Sequence, residues 1–170
     1  DVVKFFRNGT QYCAKFLDGC GSPLVNASVI FNINGVFYKK QTDDNGMAKL
    51  NINLRPGVYI LTAINSVTGE SKGFNITVKS LIESNDLTKY YRNDSNFEVK
   101  IYNKDGTLAI NKEVTFNING VFYQKTTDSN GIARLGIALR PGNYILTAYN
   151  PVTGEEKGFN ITVKSLIMQN

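Results

Sequence analysis

The chain contains no histidine and no tryptophan, and it has only two cysteines, two methionines and four prolines among 170 residues. Without histidine there is no Ser-His or Cys-His nucleophile and base, no HExxH helix and no zinc-finger spacing. None of the glycines lies in a loop between a strand-like and a helix-like stretch, so no nucleotide cradle is present either. These absences describe a non-enzymatic protein with no cofactor and no metal site. Charge is also sparse. Charged residues make up 19% of the chain, and no basic run exceeds Lys39-Lys40. The net charge of +5 therefore reads as a solvated face, and nucleic acid is not an expected partner. No stretch is apolar for long enough to cross a bilayer as a helix.

What the chain does have is asparagine, glycine and aromatic rings. There are 15 Gly, 10 Phe and 9 Tyr in a sequence that is 42% hydrophobic, so a packed core built from turn-rich elements is expected. The octapeptide FNINGVFY occupies Phe31 to Tyr38 and returns letter for letter from Phe116 to Tyr123. Sliding the chain by 85 residues aligns Asp1 with Asp86 and Asn85 with Asn170 without a gap, and 50 of the 85 pairs are identical. Such agreement marks a tandem duplication. A unit of this size can close its own core, unlike repeats of some 20 to 50 residues. Two domains are predicted, residues 1–82 and 86–167, with a short linker at 83–85. Little contact between them is expected. Leu81 and Ile82, which recur as Leu166 and Ile167, belong either to the joint or to the end of the last strand.

Period-two alternation of Val, Ile, Phe and Tyr between turn signals predicts strands near Val2–Phe6, Gln11–Leu17, Ser28–Ile33, Val36–Gln41, Met47–Ile52, Val58–Asn65 and Gly73–Lys79. The second copy follows at plus 85. About seven short strands per copy predict an all-β fold of two tandem Ig-like β-sandwich domains. Asn34-Gly35 and Asn119-Gly120 predict tight hairpins, because both residues tolerate positive φ. Arg55-Pro56-Gly57 and Arg140-Pro141-Gly142 read as type II turns with a left-handed glycine. In the strand after that turn, Tyr59, Leu61 and Ala63 are the predicted core face.

Several residues are candidates for chemistry or binding. Cys13 and Cys20 align with Glu98 and Asp105, so only the first copy carries the pair. A disulfide across Asp18-Gly19 is one reading, and two free thiols the other; a bridge would indicate an oxidising compartment. Sequons at Asn8, Asn26, Asn75, Asn93 and Asn160 are N-glycosylation candidates, although an Asn-rich chain also generates sequons by accident. Lys4 with Asn75, and Lys89 with Asn160, lie in the first and last strands of each copy. An internal amide bond there would also require a buried acid, with Asp43, Asp128, Glu70 and Glu155 as repeat-matched choices. Ordinary packing of these side chains is the alternative. Thr42 to Gly46 and Thr127 to Gly131 read as Asx-turns, not calcium loops, because they hold too few oxygen ligands. Tyr38 and Tyr123, beside Phe37 and Phe122, are candidate ligand-facing aromatics, since adjacent strand residues point to opposite faces.

A family resemblance rests on Gly-x-Pro-Leu-x-Asn (Gly21 to Asn26), the octapeptide, Thr42-Asp-x-Asn-Gly46, Leu54-Arg-Pro-Gly-x-Tyr59 and Asn75-Ile-Thr-Val78, most of which recur in the second copy. These residues resemble the Ig-like repeats of adhesin-like surface proteins of methanogenic archaea and the bacterial invasin and intimin type. Leu-x-Pro-Gly-x-Tyr is also similar to the Cna B-type domains of Gram-positive adhesins, the family in which Lys-Asn amide bonds occur. The second copy departs at Asp105 to Ile110, where the proline is missing. The resemblance implies extracellular display at a cell surface, as a monomeric segment of a longer multi-repeat chain. It implies a stalk or adhesion role, with a surface glycan or protein as partner and no catalytic residue to carry over. The alternative function is a carbohydrate- or protein-binding module.

Overall fold

The duplicated octapeptide forms the predicted hairpin in both copies. Asn34 and Gly35 adopt φ of 54° and 77°, and Asn119 and Gly120 adopt 54° and 78°, the two positive angles that a two-residue hairpin turn requires. The computed structural model describes all 170 residues and divides them into two compact units, Asp1–Lys79 and Ser80–Asn170. The first holds β1 (Val2–Phe5), β2 (Gln11–Lys15), β3 (Ser28–Ile33), β4 (Val36–Gln41), β5 (Met47–Asn51), β6 (Gly57–Ile64) and β7 (Ser71–Lys79). The second holds β8 (Ile82–Glu83), β9 (Leu87–Tyr90), β10 (Asn96–Ile101), β11 (Glu113–Ile118), β12 (Val121–Thr126), β13 (Ile132–Gly136), β14 (Gly142–Tyr149) and β15 (Glu156–Lys164).

Each unit is an Ig-like sandwich. In the first, a five-stranded sheet in the order β1-β7-β6-β3-β4 faces the pair β2-β5. In the second, β12-β11-β14-β15-β9 faces a three-stranded sheet, β13-β10-β8. The first strand of each large sheet runs parallel to the last, with Val2 opposite Ile76 and Leu87 opposite Ile161. Every other strand pair is antiparallel. Alternation supplies the core. Val29, Phe31 and Ile33 of β3 meet Leu61 and Ala63 of β6 and Ile76 and Val78 of β7. Tyr12 packs edge-on to Phe31 at 5.6 Å, and Phe97 repeats that contact with Phe116 at 6.1 Å. The predicted face of β6 is indeed the buried one, with Leu61 fully covered and Tyr59 packed against the cluster.

One turn differs from expectation. Gly57 and Gly142 sit at φ 157°, not the roughly +80° of a type II turn. The reason is the tyrosine two residues on. Tyr59 Oη donates to the carbonyl of Arg55 at 2.8 Å, and Tyr144 does the same to Arg140. A Cβ on Gly57 would stand 3.3 Å from that hydroxyl, so the glycine leaves room for the ring to fold back. This is the tyrosine corner found at the entry to the corresponding strand of Ig-type sandwiches. The acidic turns are Asx-turns: Asp43 Oδ1 accepts from the amides of Asn45 and Met47.

The two units divide between Lys79 and Ser80, so Leu81 and Ile82 lie within the second. Both are fully buried there, and Ile82 and Glu83 pair with Ile101 and Lys100 of β10.

Candidate binding surfaces

The edge strands β4 and β12 are exposed at every position. Register separates their aromatic rings. Tyr38 lies opposite Phe31 and Tyr123 opposite Phe116, which turns both tyrosines to the core-facing side, beyond the cover of the smaller sheet. They remain 38% and 39% exposed, and Tyr38 borders a groove of about 220 Å³ with Leu50, Ile52 and Leu54. Phe37 and Phe122 pair with Asn32 and Asn117, so they stand on the outer face, 64% and 63% exposed. The phenylalanines are thus the more open rings. The alternation between Val36, Phe37 and Tyr38 carries that signal, once β3 is known to bury Phe31.

On the same outer face of the first domain, Val3 and Val58 both flank Thr77, and Ile60 lies beside them at 66% exposure. Their counterparts in the second domain include Thr88 and Asn143, so this apolar patch is not duplicated.

Lysine and asparagine are not brought together. Lys4 points inward and is buried, donating to the carbonyls of Ile52 at 2.7 Å and Asn8 at 3.1 Å. Burial holds its ammonium below the usual lysine range. Lys89 repeats the arrangement with Ile137 and Asn93. Asn75 and Asn160 are exposed on the opposite face, because Lys4 pairs with Val78, three residues from Asn75. An odd separation along a strand places the two side chains on different sides.

Cys13 and Cys20 are both exposed free thiols. Cys13 lies on the outward side of β2 opposite Lys49, while Cys20 sits in a turn whose amide donates to Asp18 Oδ1. The five sequon asparagines stand at the surface, Asn8 half-buried and Asn26, Asn75, Asn93 and Asn160 exposed. The repeat-matched acids have diverged. Asp43 and Glu70 are exposed, whereas Glu155 is buried, accepting from the amide of Leu81 at 2.8 Å and from Ser80 Oγ. No group of three or more His, Cys, Asp or Glu is arranged to hold a metal ion.

Comparison with known proteins adds likeness of shape only. No family model matches the chain, and no curated protein matches it. A mixed-linkage glucan utilization protein of Bacteroides ovatus, SGBP-B in complex with a heptasaccharide, shares 15% identity and a TM-score of 0.37, over 97% of this chain and 45% of that one. This chain therefore spans less than half the length of that protein. The fibronectin(III)-like modules of Clostridium thermocellum CbhA share 15% identity over 98% and 93%, with a TM-score of 0.30. Titin domains Z1Z2 in complex with telethonin share 19% over 98% and 93%, with a TM-score of 0.34. Strand order and register, not these distant likenesses, make the chain a pair of Ig-like β-sandwiches.

Proposed function

We propose that the chain is a non-enzymatic stalk and adhesion segment of a cell-surface protein, displayed outside the cell as part of a longer array of such repeats. The observation that carries this reading is the parallel pairing of the first and last long strands in each domain. Force applied along the chain at the ends of the first domain loads the bonds from Val2–Ile76 to Phe5–Lys79 together, in shear. An antiparallel terminal hairpin would open one bond at a time. Lys4 and Lys89 strengthen the joint by tying these strands to carbonyls of the opposite layer. The 50 identical pairs among the 85 aligned suit a spacer, in which each unit repeats one mechanical task. The adhesin-like Ig repeats that the motifs resemble are used in this way.

Pulling single molecules tests it. Two discrete unfolding events are expected, each releasing about 280 Å of chain at ~3.5 Å per residue. Gradual unravelling without force peaks would overturn the reading.

A second reading is a carbohydrate- or protein-binding module on the same surface, with a glycan or protein of a neighbouring cell as partner. The exposed rings of Phe37, Tyr38, Phe122 and Tyr123 favour it, since aromatic faces are common platforms for such ligands. Binding to a glycan array that disappears in a Phe37→Ala, Phe122→Ala variant would support this role; unchanged binding would remove it. The sequon asparagines belong to the same surface picture. Intact mass of the protein from its own host reports whether any carries a glycan and whether Cys13 and Cys20 are joined.

A further inference from the structure

Asparagine is a poor strand residue, because its side chain competes with the backbone for hydrogen bonds. At three of the five sequons a turn accounts for it. Asn8 Oδ1 accepts from the Thr10 amide at 3.2 Å, and Asn93 Oδ1 from the Ser95 amide at 2.7 Å. Asn26 sits at φ 53°, which asparagine tolerates, and its Oδ1 accepts from Gln41 Nε2 at 2.7 Å. Asn75 and Asn160 have no such role. They are exposed at the middle of β7 and β15. The backbone amide of Asn75 is bonded, but its carboxamide is not. Asn160 Nδ2 has a single long contact, 3.4 Å to Asp86 Oδ2.

The surface around both is open and partly apolar. Alternation puts Thr77 on the same outer face as Asn75, and Thr162 beside Asn160, so each Asn-x-Thr is complete on one side of its sheet. Register sets Ile60 across from Asn75 and Ile145 across from Asn160, and these isoleucines are 66% and 67% exposed. Two residues before each asparagine stands a glycine, so no side chain rises on that flank. A Cβ on Gly73 or Gly158 would meet only the isoleucine methyl, at 3.5 and 3.7 Å. Asparagine, threonine, glycine and isoleucine form a shallow shelf that recurs intact in the second domain. Outer-face positions around it do not: Val3, Val58, Ile64 and Ser71 become Thr88, Asn143, Tyr149 and Glu156.

We infer that Asn75 and Asn160 are N-glycosylation sites, and that the first sugars of each glycan lie over Ile60 and Ile145. One face of a pyranose ring is lined by C–H groups, and laying it on an exposed isoleucine removes apolar surface from water. In the transfer, the carboxamide nitrogen attacks the anomeric carbon of a saccharide carried on a polyisoprenyl phosphate. A C–N bond forms and the bond from that carbon to the phosphate oxygen breaks. The lipid phosphate leaves with the electron pair, and a base of the host transferase takes the amide proton. Strand β7 is flanked by β1 and β6, and β15 by β9 and β14. The transferase therefore acts before the sheet closes, while the folded face keeps room for the product. The inference rests on the extracellular display proposed above and adds a covalent saccharide at one fixed place in each domain.

The test starts from the protein in its own host, labelled on intact cells with a membrane-impermeant amine reagent, captured, and cut after glutamate. Trypsin would not serve, because residues 73–79 and 158–164 yield the same peptide, Gly-Phe-Asn-Ile-Thr-Val-Lys. Saccharide mass is expected on both Asn75 and Asn160. Thr77→Ala should abolish it at Asn75 alone, and Thr77→Ser should keep it, since serine also completes the sequon. Unmodified Asn75 and Asn160 in the labelled protein overturn the inference and leave the display standing. A chain that is labelled only after lysis overturns the display and the inference with it. Contact with the isoleucines is read on the purified protein. Asn75→Gln with Asn160→Gln should raise the fluorescence of a dye for apolar surface, and adding Ile60→Thr with Ile145→Thr should remove the rise. Glycans that are present without such a rise overturn their placement over Ile60 and Ile145.

Discussion

Two domains that share 50 of 85 aligned residues differ most where their sequences agree. Glu70 and Glu155 are the same residue at the same place in the repeat, yet one is exposed and the other is 4% exposed. Thr68 and Thr153 differ in the same way, and Phe74 is only partly buried where Phe159 is buried. Nothing in either domain's own sandwich accounts for this. The four residues Ser80 to Glu83 do, by adding a strand to β10 and a lid to the turn at Asn150. In the second domain this burial is supplied by the segment Ser80 to Glu83, which lies ahead of the sandwich strands, and not by the buried residues themselves.

The comparison breaks hardest at Leu81. Leu81→Ala removes a fully buried side chain, which in well-packed cores costs about 2–5 kcal/mol. The loss should fall on residues 80–170 alone, read as faster amide hydrogen exchange across β10 and β13 with residues 1–79 unchanged. Equal loss in both domains would mean that their stabilities are not separate. Next in size is the glutamate pair. Glu155→Ala leaves the Leu81 amide without its acceptor in a buried place, a penalty of about 1–3 kcal/mol. The same change at Glu70 removes an exposed side chain and should stay within about 0.5 kcal/mol. Denaturant midpoints of the two variants give the ratio. Similar values would show that Glu70 is already covered in solution.

Much of each sandwich was legible because its signals are local. Asn-Gly demands positive φ at two positions, and the hairpins at Asn34 and Asn119 followed. Alternation located β3 and β4 to the residue, and it correctly chose the Leu61 face of β6 as core. The turn at Gly57 was misread because its conformation is set by Tyr59 reaching back to Arg55, which no local turn rule contains. The seat of Leu81 was illegible for a similar reason. A two-residue strand has no periodicity, and its partners Glu155 and Asn150 lie some 70 residues away. The candidate Lys-Asn pairs failed on parity: the strands are neighbours as predicted, but the register puts an odd number of residues between the two side chains.

Alkaline titration sharpens the contrast at a smaller scale. Burial pushes the Tyr12 hydroxyl up to about 12, and its counterpart Phe97 has nothing to titrate. In the second domain Tyr102 is also pushed up to about 12, first by its hydrogen bond to Glu83 and then by burial. An acid whose folded value is raised keeps its full stabilisation below the ordinary value of 10 and loses it as pH climbs toward 12. Both domains should therefore weaken in that window, for different reasons. Tyr12→Phe should abolish the loss in residues 1–79 only, and Glu83→Gln should reduce it in residues 80–170 only. Lys4 works in the opposite direction. Its value is lowered by burial, so its contribution improves as pH rises toward 10.5. Measuring Tyr12→Phe in a Lys4→Met background separates the two. A first domain whose alkaline limb is unchanged by Tyr12→Phe would show that the hydroxyl is not the group responsible.

The smallest effect lies at the acidic turns, and it separates charge from turn geometry. Asp43 is held below the usual carboxylate range mainly by the amides of Met47 and Asn45. Asp128 keeps equivalent backbone bonds, but the first cause of its lowering is Arg134, whose guanidinium meets Asp128 at 2.8 Å and Glu98 at 2.9 Å. The first domain has Lys49 and Cys13 at those positions and forms no such pair. A lowered carboxylate contributes stability that is complete above its unfolded value near 3.8 and disappears as pH falls through the folded value. Both domains should lose stability in acid through these turns, but the second should lose the larger part that salt can screen, because Asp128 has the Arg134 ion pair where Asp43 has only a weaker attraction to Lys49, and exposed charge pairs weaken with ionic strength while backbone bonds do not. Acid unfolding followed by domain at low and high salt is the measurement. Arg134→Ala should bring the salt sensitivity of the second domain's acid limb down to that of the first or below it. If salt shifts both limbs equally, the turns are stabilised by long-range charge and not by the bonds that distinguish them.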